Sequence, residues 1–563
     1  MTTAVFQPYQ KKFGYMKQEH QSWAPALLEL SQFCNPTRGF FSGMTPNNGK
    51  KIDHRLLLDS HARRAVRTLA SGMVSGLTSP SRPWFAIGVP DQELKDNDEV
   101  REWCDIVENI LFDIFSRSNI YGALHSMYEE IGTFGTASLM LMEDFEQVIR
   151  ARSFTAGEYF LACDAKGRVR TFAREFFMTV SQVIDEFGFE NVSASIKAAY
   201  QNKQTEMWVK INMLIEPNTE REPGYQDFKN MPFRALYWQE GETFTLLRQD
   251  GFEEFPVLAP RWDTTTTADA YGRGPGWDAL GDVKMLQKEQ RMKLEGMDKR
   301  NNPPVQQDSS IDGDAQTMPG GVTRYNGLVG PNAGVRAAYQ IDPAVREMRE
   351  DINDCKQAIS AAFYADLFLM FINDTGGKMT ATEVAERQSE KLQVLGPVLE
   401  RLENELLSPL IERTFAIANR MGLIPPAPKV MQGADLKIRY ISILAQAQKM
   451  VGATAMSQVL GFVGNLSQLD PETADIIDTD ETGRIYADNL ATPAKMMRSR
   501  DKVEARRQAR AQAAQQAQQA QMAMAAAKAG RDVAGAAKDL GMTQVGQNSA
   551  LDATLGAITG AQP

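Results

Sequence analysis

Along the first 130 residues apolar side chains recur at helical intervals. Residues 60–77 place Ala62, Ala65, Val66, Leu69 and Met73 on one stripe before Ser79-Pro80 and Arg82-Pro83 stop it. Residues 98–116 do the same with Val100, Trp103, Val107, Leu111 and Phe115, and acidic residues open that helix where its dipole favours them. Residues 15–130 therefore read as mainly helical with one loop-rich interruption, and these faces are core. From Ala137 to Trp262 the texture changes to short β-rich runs at 138–142, 158–163, 169–178, 207–215, 234–238 and 243–248. Turn signals at Asp164-Ala165-Lys166-Gly167 and Gln239-Glu240-Gly241 separate pairs of them as hairpins require. The expectation is a small β-barrel or sandwich with helical inserts at 180–200.

Beyond Tyr271-Gly272-Arg273-Gly274-Pro275-Gly276, a segment of small residues that reads as a hinge, the pattern predicts a charged helix over 277–300. Asn301-Asn302-Pro303-Pro304 ends it. Residues 305–342 are rich in Gly, Pro, Asp and Asn, and a second helix begins near Asp342-Pro343 and runs to Met370. Helix, excursion, helix is the signature of an antiparallel pair with a knob at its far end. A glycine-bearing loop follows over 371–378. Thr380-Ala381-Thr382-Glu383 then has capping-box spacing, with Met379 and Val384 as its hydrophobic staple. Leu395, Val398, Leu399, Leu402, Leu406, Leu410 and Ile411 continue the stripe, and Gly396-Pro397 and Ser408-Pro409 are expected to bend or break the helix. A strand at 436–443 precedes further helices. A basic run then leads into 512–527, made only of Ala, Gln and Met, and the pattern thins from 531 into an expected disordered tail.

Composition narrows the function. The 563 residues are 43% hydrophobic and 23% charged, enough for about three or four structural units at roughly 150 residues each. A net charge of −10 excludes a uniformly basic nucleic-acid coat. Cys34, Cys104, Cys163 and Cys355 lie far apart with no CxxC, which excludes a disulfide framework and a zinc knuckle. The densest apolar run, 361–372, is too short for a membrane span and contains Asp366. Gly376-Gly377-Lys378 lacks the remainder of a phosphate loop, since Ile372 and Met379 stand at the required Gly and Ser/Thr positions. His20, His54, His61 and His125 form no metal motif, no GxSxG elbow occurs, and Asp351 with Asp354 reads as a solvated helix face. No catalysis, cofactor or metal is expected.

Three segments occur together in order: Ser75-Gly76-Leu77-Thr78-Ser79-Pro80-Ser81-Arg82-Pro83-Trp84-Phe85, the Tyr271 to Gly276 stretch leading into a charged helix, and Met379-Thr380-Ala381-Thr382-Glu383-Val384. With the helix, excursion and helix arrangement, residues 15–500 resemble the head-to-tail connector, or portal, proteins of short-tailed bacteriophages. The resemblance implies a mainly α fold with a small β-barrel or sandwich (α+β), in an elongated protomer. It places the wing at 1–270, the first stem helix at 271–300, the clip at 301–342 and the second stem helix at 343–370. The tunnel loop falls at 371–379, a long kinked wing helix at 380–424, the crown at 425–494, an Ala/Gln-rich barrel helix at 495–530 and a polar tail at 531–563. It further implies a ring of twelve subunits at one capsid vertex, assembled in the host cytoplasm. Double-stranded DNA passes through that ring, with terminase, tail adaptor, major capsid and scaffolding proteins and internal core or ejection proteins as partners, and no membrane contact.

Candidate functional residues follow. Asn373, Asp374, Thr375, Gly376, Gly377 and Lys378 would form the tunnel loop. Lys284, Lys288, Arg291 and Lys293 against Glu347, Glu350 and Asp354 mark the stem, where mixed charge points to ion pairs between neighbours as much as to DNA contact. Arg498, Arg500, Lys502, Arg506, Arg507 and Arg510 make a C-terminal basic patch facing DNA or acidic neighbours. A bore that neutralises many phosphates holds DNA tightly, so an acidic chain with local basic patches suits passage. A tail-tube adaptor or internal ejection protein is the alternative, and it does not account for the excursion between two helices. Shortening residues 373–377 is expected to leave ring assembly intact and to impair packaging or retention of DNA. Genome filling at the wild-type level in such a phage would contradict it.

Overall fold

The computed structural model describes residues 3–41, 57–91, 97–222, 227–241, 246–307, 313–324, 334–339, 344–372, 395–431, 436–441, 459–463 and 500–542, with a few shorter pieces. The chain packs as two units. The first comprises Met1–Gly88, Trp103–Ala427 and Asp435–Ala491, and the second Val89–Glu102, Pro428–Ala434 and Thr492–Pro563.

In the first unit α1 (Thr3–Phe33) buries Tyr9, Phe13, Met16, His20, Leu27 and Leu30 along one stripe. It starts earlier than the expected helical region. The stripes expected in the next helices are buried in α2 (His61–Leu77), which precedes β1 (Phe85–Gly88), and in α3 (Asp98–Arg117), which leads into α4 (Ile120–Phe134).

The β region contains β2 (Ser138–Asp144), β3 (Val148–Phe154), β4 (Tyr159–Cys163) and β5 (Val169–Thr179). The inserts α5 (Val180–Phe187) and α6 (Ala194–Gln201) follow, then β6 (Trp208–Pro217), β7 (Phe233–Gln239), β8 (Leu246–Phe252) and β9 (Val257–Leu258). Two antiparallel sheets result, with orders β3-β2-β9 and β4-β5-β6-β7-β8. Of the two expected forms, barrel or sandwich, the described residues make an open sheet with β4 and β8 as its edges. Period-two alternation explains why closure is not required. Ile211, Met213, Ile215, Ala235 and Tyr237 face one core, shared with Met140 and Phe154 of the smaller sheet and with Val183 and Ile196 of the inserts. Leu214, Leu236 and Trp238 face the other way, against Tyr9, Phe13 and Met16 of α1. Both faces of the larger sheet are thus covered, in the manner of a sandwich with one helical layer.

The strand β3 was not expected, because no Gly, Pro or Asn-Gly marks the turn before it. Asp144 supplies that turn instead, its Oδ1 accepting the backbone N–H of Glu146 at 2.8 Å and of Gln147 at 3.0 Å.

A helical limb follows: α7 (Pro275–Asn301), the hairpin of β10 (Val305–Gln307) with β11 (Val335–Ala337), and α8 (Val345–Ala362). The expected single helix to Met370 is corrected to two, since Tyr364 at φ +53° breaks the chain before α9 (Ala365–Ile372). The break turns Leu367 and Phe368 into the core, where Phe368 packs so closely on Gly72 of α2 that a Cβ there would lie 2.2 Å from its ring. Tertiary packing overrides the helical pattern at that point.

Helical residues 395–402 run into a π-helical turn, Glu403–Leu407, and then α10 (Ser408–Arg420). The irregularity at Ser408-Pro409 takes this form: ahead of a proline that cannot donate, the turn takes up one extra residue. The π turn is clasped to the sheet region. Arg261, 5% exposed in its side chain, donates through Nε at 3.2 Å and through its backbone N–H at 2.9 Å to Glu405 Oε2. It also donates to the carbonyls of Asp269 at 2.6 Å and Gly167 at 2.9 Å. Further on, β12 (Lys437–Tyr440), within the segment expected as crown, pairs antiparallel with β1.

In the second unit α11 (Arg500–Met542) extends well past residue 530, and β13 (Gln544–Val545) pairs with β14 (Asn548–Ser549). The expectation of disorder from 531 is corrected over this stretch. Good helix formers such as Ala534, Ala536 and Lys538 carry the helix through Gly530 and Gly535, each of which costs about 1 kcal/mol against Ala.

Truncating Arg261 leaves Glu405 poorly paired, so Arg261→Ala is expected to lower stability by about 3–5 kcal/mol. Adding Glu405→Ala should cost little more, and additive losses in urea unfolding would contradict the clasp.

Candidate functional site: a helical limb and its anchor

The limb begins where backbones approach too closely for side chains. Gly135, at φ +82°, caps α4, and a Cβ there would lie 2.4 Å from the Arg273 carbonyl carbon. Gly276, in the first turn of α7, lies against Thr133, whose carbonyl oxygen would be 2.2 Å from an added Cβ. Asp263 and Arg273 exchange backbone hydrogen bonds at 3.1 and 2.8 Å, Thr136 Oγ1 accepts from Gly272 N at 2.7 Å, and Trp277 Nε1 donates to the Phe134 carbonyl at 2.9 Å. The small residues expected to make a hinge therefore make a rigid root, a correction that follows from close packing.

Further along, Asp59 joins three helices. Its Oδ1 accepts from His61 N at 2.8 Å at the start of α2, and its Oδ2 takes Gln290 Nε2 of α7 at 3.0 Å and Lys356 Nζ of α8 at 2.8 Å. Gln287 of α7 returns the contact: its Oε1 accepts the backbone N–H groups of Leu58 and Asp59, and its Nε2 donates to the Asp59 carbonyl. Burial acts to raise the Asp59 pKa, but the hydrogen bonds from Lys356, His61 and Gln290 outweigh it and hold the carboxyl below its ordinary value. Between the helices Val283 and Leu286 are buried on α7, and Ile352, Cys355 and Ile359 on α8, with Cys355 Sγ donating to Glu289 at 3.5 Å. The β10–β11 pairing, Val305 opposite Ala337, fixes the two helices as antiparallel.

Several sequence-predicted residues lie on this limb. Lys284 is engaged within the chain, 2.6 Å from Glu29 of α1 and above the Phe33 ring. Lys288, Arg291, Glu347 and Asp354 are exposed, Lys293 is half-buried, and Glu350 lies 3.5 Å from Arg346 on the same helix. Asn373, Asp374, Thr375, Gly376, Gly377 and Lys378 lie outside the described residues, as do the 380–394 segment and Arg498. In the second unit Arg500 opens α11, Lys502 pairs with Asp98 at 2.6 Å, and Arg506, Arg507 and Arg510 are exposed. Asp59, Gln287 and Arg261 were not singled out by the sequence, because their partners are remote in the chain. Among the described residues no group of His, Cys, Asp and Glu could hold a metal ion, and no helix is long and apolar enough to cross a membrane.

The limb is thus a rooted helical pair carrying a hairpin. The family of bacteriophage head to tail connecting proteins matches residues 7–497. The chain belongs to that family. The connector is 40% identical over 546 residues to the portal protein of Salmonella phage epsilon15, covering 96% of each. It is 41% identical over 503 residues to the probable portal protein of Bordetella phage BPP-1, covering 89% of this chain and 90% of that one. A chain from the neck of an empty gene transfer agent particle overlaps it at TM-score 0.37 and 12% identity, across 73% of the connector and 88% of that chain. Neither fold nor function follows from overlap at that level. As a phage portal protein the connector is a virion component of the head–tail junction.

Loss of the Asp59 charge uncouples three helices of the connector. Because the folded-state pKa is depressed, the contribution is present at neutral pH and is lost as pH falls through and below the usual carboxylate range near about 4. Asp59→Asn is expected to cost about 1–3 kcal/mol at pH 7, discounted for the partial exposure of Lys356. The gap from wild type should narrow on acidification, and a gap independent of pH in thermal unfolding would contradict this.

Proposed function

We propose that twelve copies of the connector form a ring at one capsid vertex, through which double-stranded DNA enters during packaging and leaves during ejection. In this reading α7 and α8 are the stem, residues 301–342 are the clip that meets terminase and then the tail adaptor, and 371–379 is the tunnel loop. Residues 1–270 with 380–424 are the wing, 425–494 the crown, and α11 a helix of the C-terminal barrel that continues to Met542. The assembly is structural and non-enzymatic, is built in the host cytoplasm, and takes the capsid and scaffolding proteins as further partners.

One observation carries this reading: the limb is anchored at its root but uncovered along its length. Met285, Met292, Leu294 and Met297 of α7 are 39–54% exposed. Each large apolar side chain gains about 1.5–3 kcal/mol on full burial, so an array of neighbouring limbs offers what one chain lacks. The same holds for α11, at 43 residues about 65 Å long at 1.5 Å per residue. Every side chain from Glu504 to Ala536 is exposed. Its Ala and Gln residues permit close approach of parallel copies.

The charges support passage rather than capture. With Lys284 held by Glu29 and Lys502 by Asp98, two of the expected cations are already neutralised inside the chain. Fewer cations remain to displace counterions from DNA, which keeps its grip on the wall weak. Electron microscopy of the purified protein should show twelvefold rings with an axial hole, and a monodisperse monomer at high concentration would overturn the proposal.

A further inference from the structure

The outward face of α2 carries a positive charge that no carboxylate among the described residues balances. Arg64, Arg67, Ser71 and Ser75 recur at helical spacing on its exposed side, with Thr68 half-buried among them. From His61 to Leu77 the helix holds three arginines and no acidic residue. None of Arg63, Arg64 and Arg67 forms an ion pair among the described residues, and the Nε of Arg63 is buried with no hydrogen-bond partner. The carboxylates closest in the fold are committed elsewhere. Asp59 is held by Lys356 at 2.8 Å, and Glu129 and Glu130 of α4 face Arg38 at 3.1 and 3.8 Å. Asp366, exposed on α9, pairs with none of the three arginines. Cations in the first turns of a helix oppose its dipole, so α2 itself gains nothing from them.

The character of the face selects its partner. Among the described residues neither α2 nor the adjacent α4 exposes a large apolar side chain, whereas the centre of a protein–protein contact is enriched in aromatic residues and Met. Guanidinium groups interspersed with hydroxyls are the donors that phosphate oxygens take. Ser71 lies 3.5 Å from Nε2 of His125 on α4, which widens the polar strip.

We propose that the strip formed by Arg64, Arg67, Thr68, Ser71 and Ser75 holds double-stranded DNA by its phosphates. Such contacts position a duplex and carry no sequence information. The strip lies on α2, an element separate from α7, α8 and residues 371–379, so it is a second place of DNA contact on the connector. The choice of DNA as the anion rests on the function proposed above, and the unbalanced cations do not.

The test titrates assembled protein with a labelled duplex of random sequence between about 50 and 200 mM salt. Each phosphate contact contributes about 0.9 to the slope of log affinity against log salt. Arg64→Gln with Arg67→Gln is expected to lower that slope by about 2, so that the fall in affinity over the range shrinks about tenfold. The change should be equal for unrelated sequences, rings should still form, and Arg64→Lys with Arg67→Lys should restore the slope. Benzoylphenylalanine at position 71 should photo-crosslink to the duplex. An unchanged slope in the Gln variant, or crosslinks from position 71 to a second copy of the connector in place of DNA, overturns the contact. Rings absent from the unsubstituted protein, with the slope change and DNA crosslinks retained, would support the contact while overturning the ring.

Discussion

The connector is governed by the closeness with which the start of α7 lies against the end of α4. At Gly135 and Gly276 the two backbones leave no room for a side chain, and the exchanged hydrogen bonds of Asp263 and Arg273 hold them there. Everything distal to that crossing is a lever whose direction is set at its root. Asp59 then adds the second fixed point, tying α2, α7 and α8 together through one carboxylate. Two fixed points along one helix define a direction, and that is what allows a thin limb to carry a hairpin at a fixed place.

Rigidity at the root contrasts with exposure along the limb. Close packing, buried ion pairs and a π turn position these helices, while Met285, Met292, Leu294 and Met297 of α7 stay exposed in the single chain. The Arg261–Glu405 clasp belongs to the same logic. It ties the helix at 395–420 at its π turn to the strand and loop that feed α7, so two segments far apart in sequence share one buried cation.

Much of this was legible in the residues. The alternation that divides Leu214 from Met213 and Ile215, the irregular turn ahead of Pro409 and the excursion between two charged helices can all be read locally, because period and backbone chemistry are local properties. What could not be read depends on partners distant in the chain. The glycines of 272–276 look like a hinge until Thr133 and Gly135 are set beside them. Tyr364 carries no helix-breaking chemistry, and the break exists because Phe368 finds Gly72. Lys284 reads as an unpaired cation until Glu29 is set 2.6 Å from it. The β2–β3 turn has no Asn-Gly signal, because Asp144 and Val148 make it instead.

The central claim is that the long helices of this connector complete their burial only against neighbouring copies. Hydrogen exchange compared between monomeric and assembled protein tests it most directly. Amides of residues 288–301 and 504–536 should be strongly slowed on assembly, while those of the already buried sheet change little. Equal exchange over both helical stretches in the two states would contradict the account.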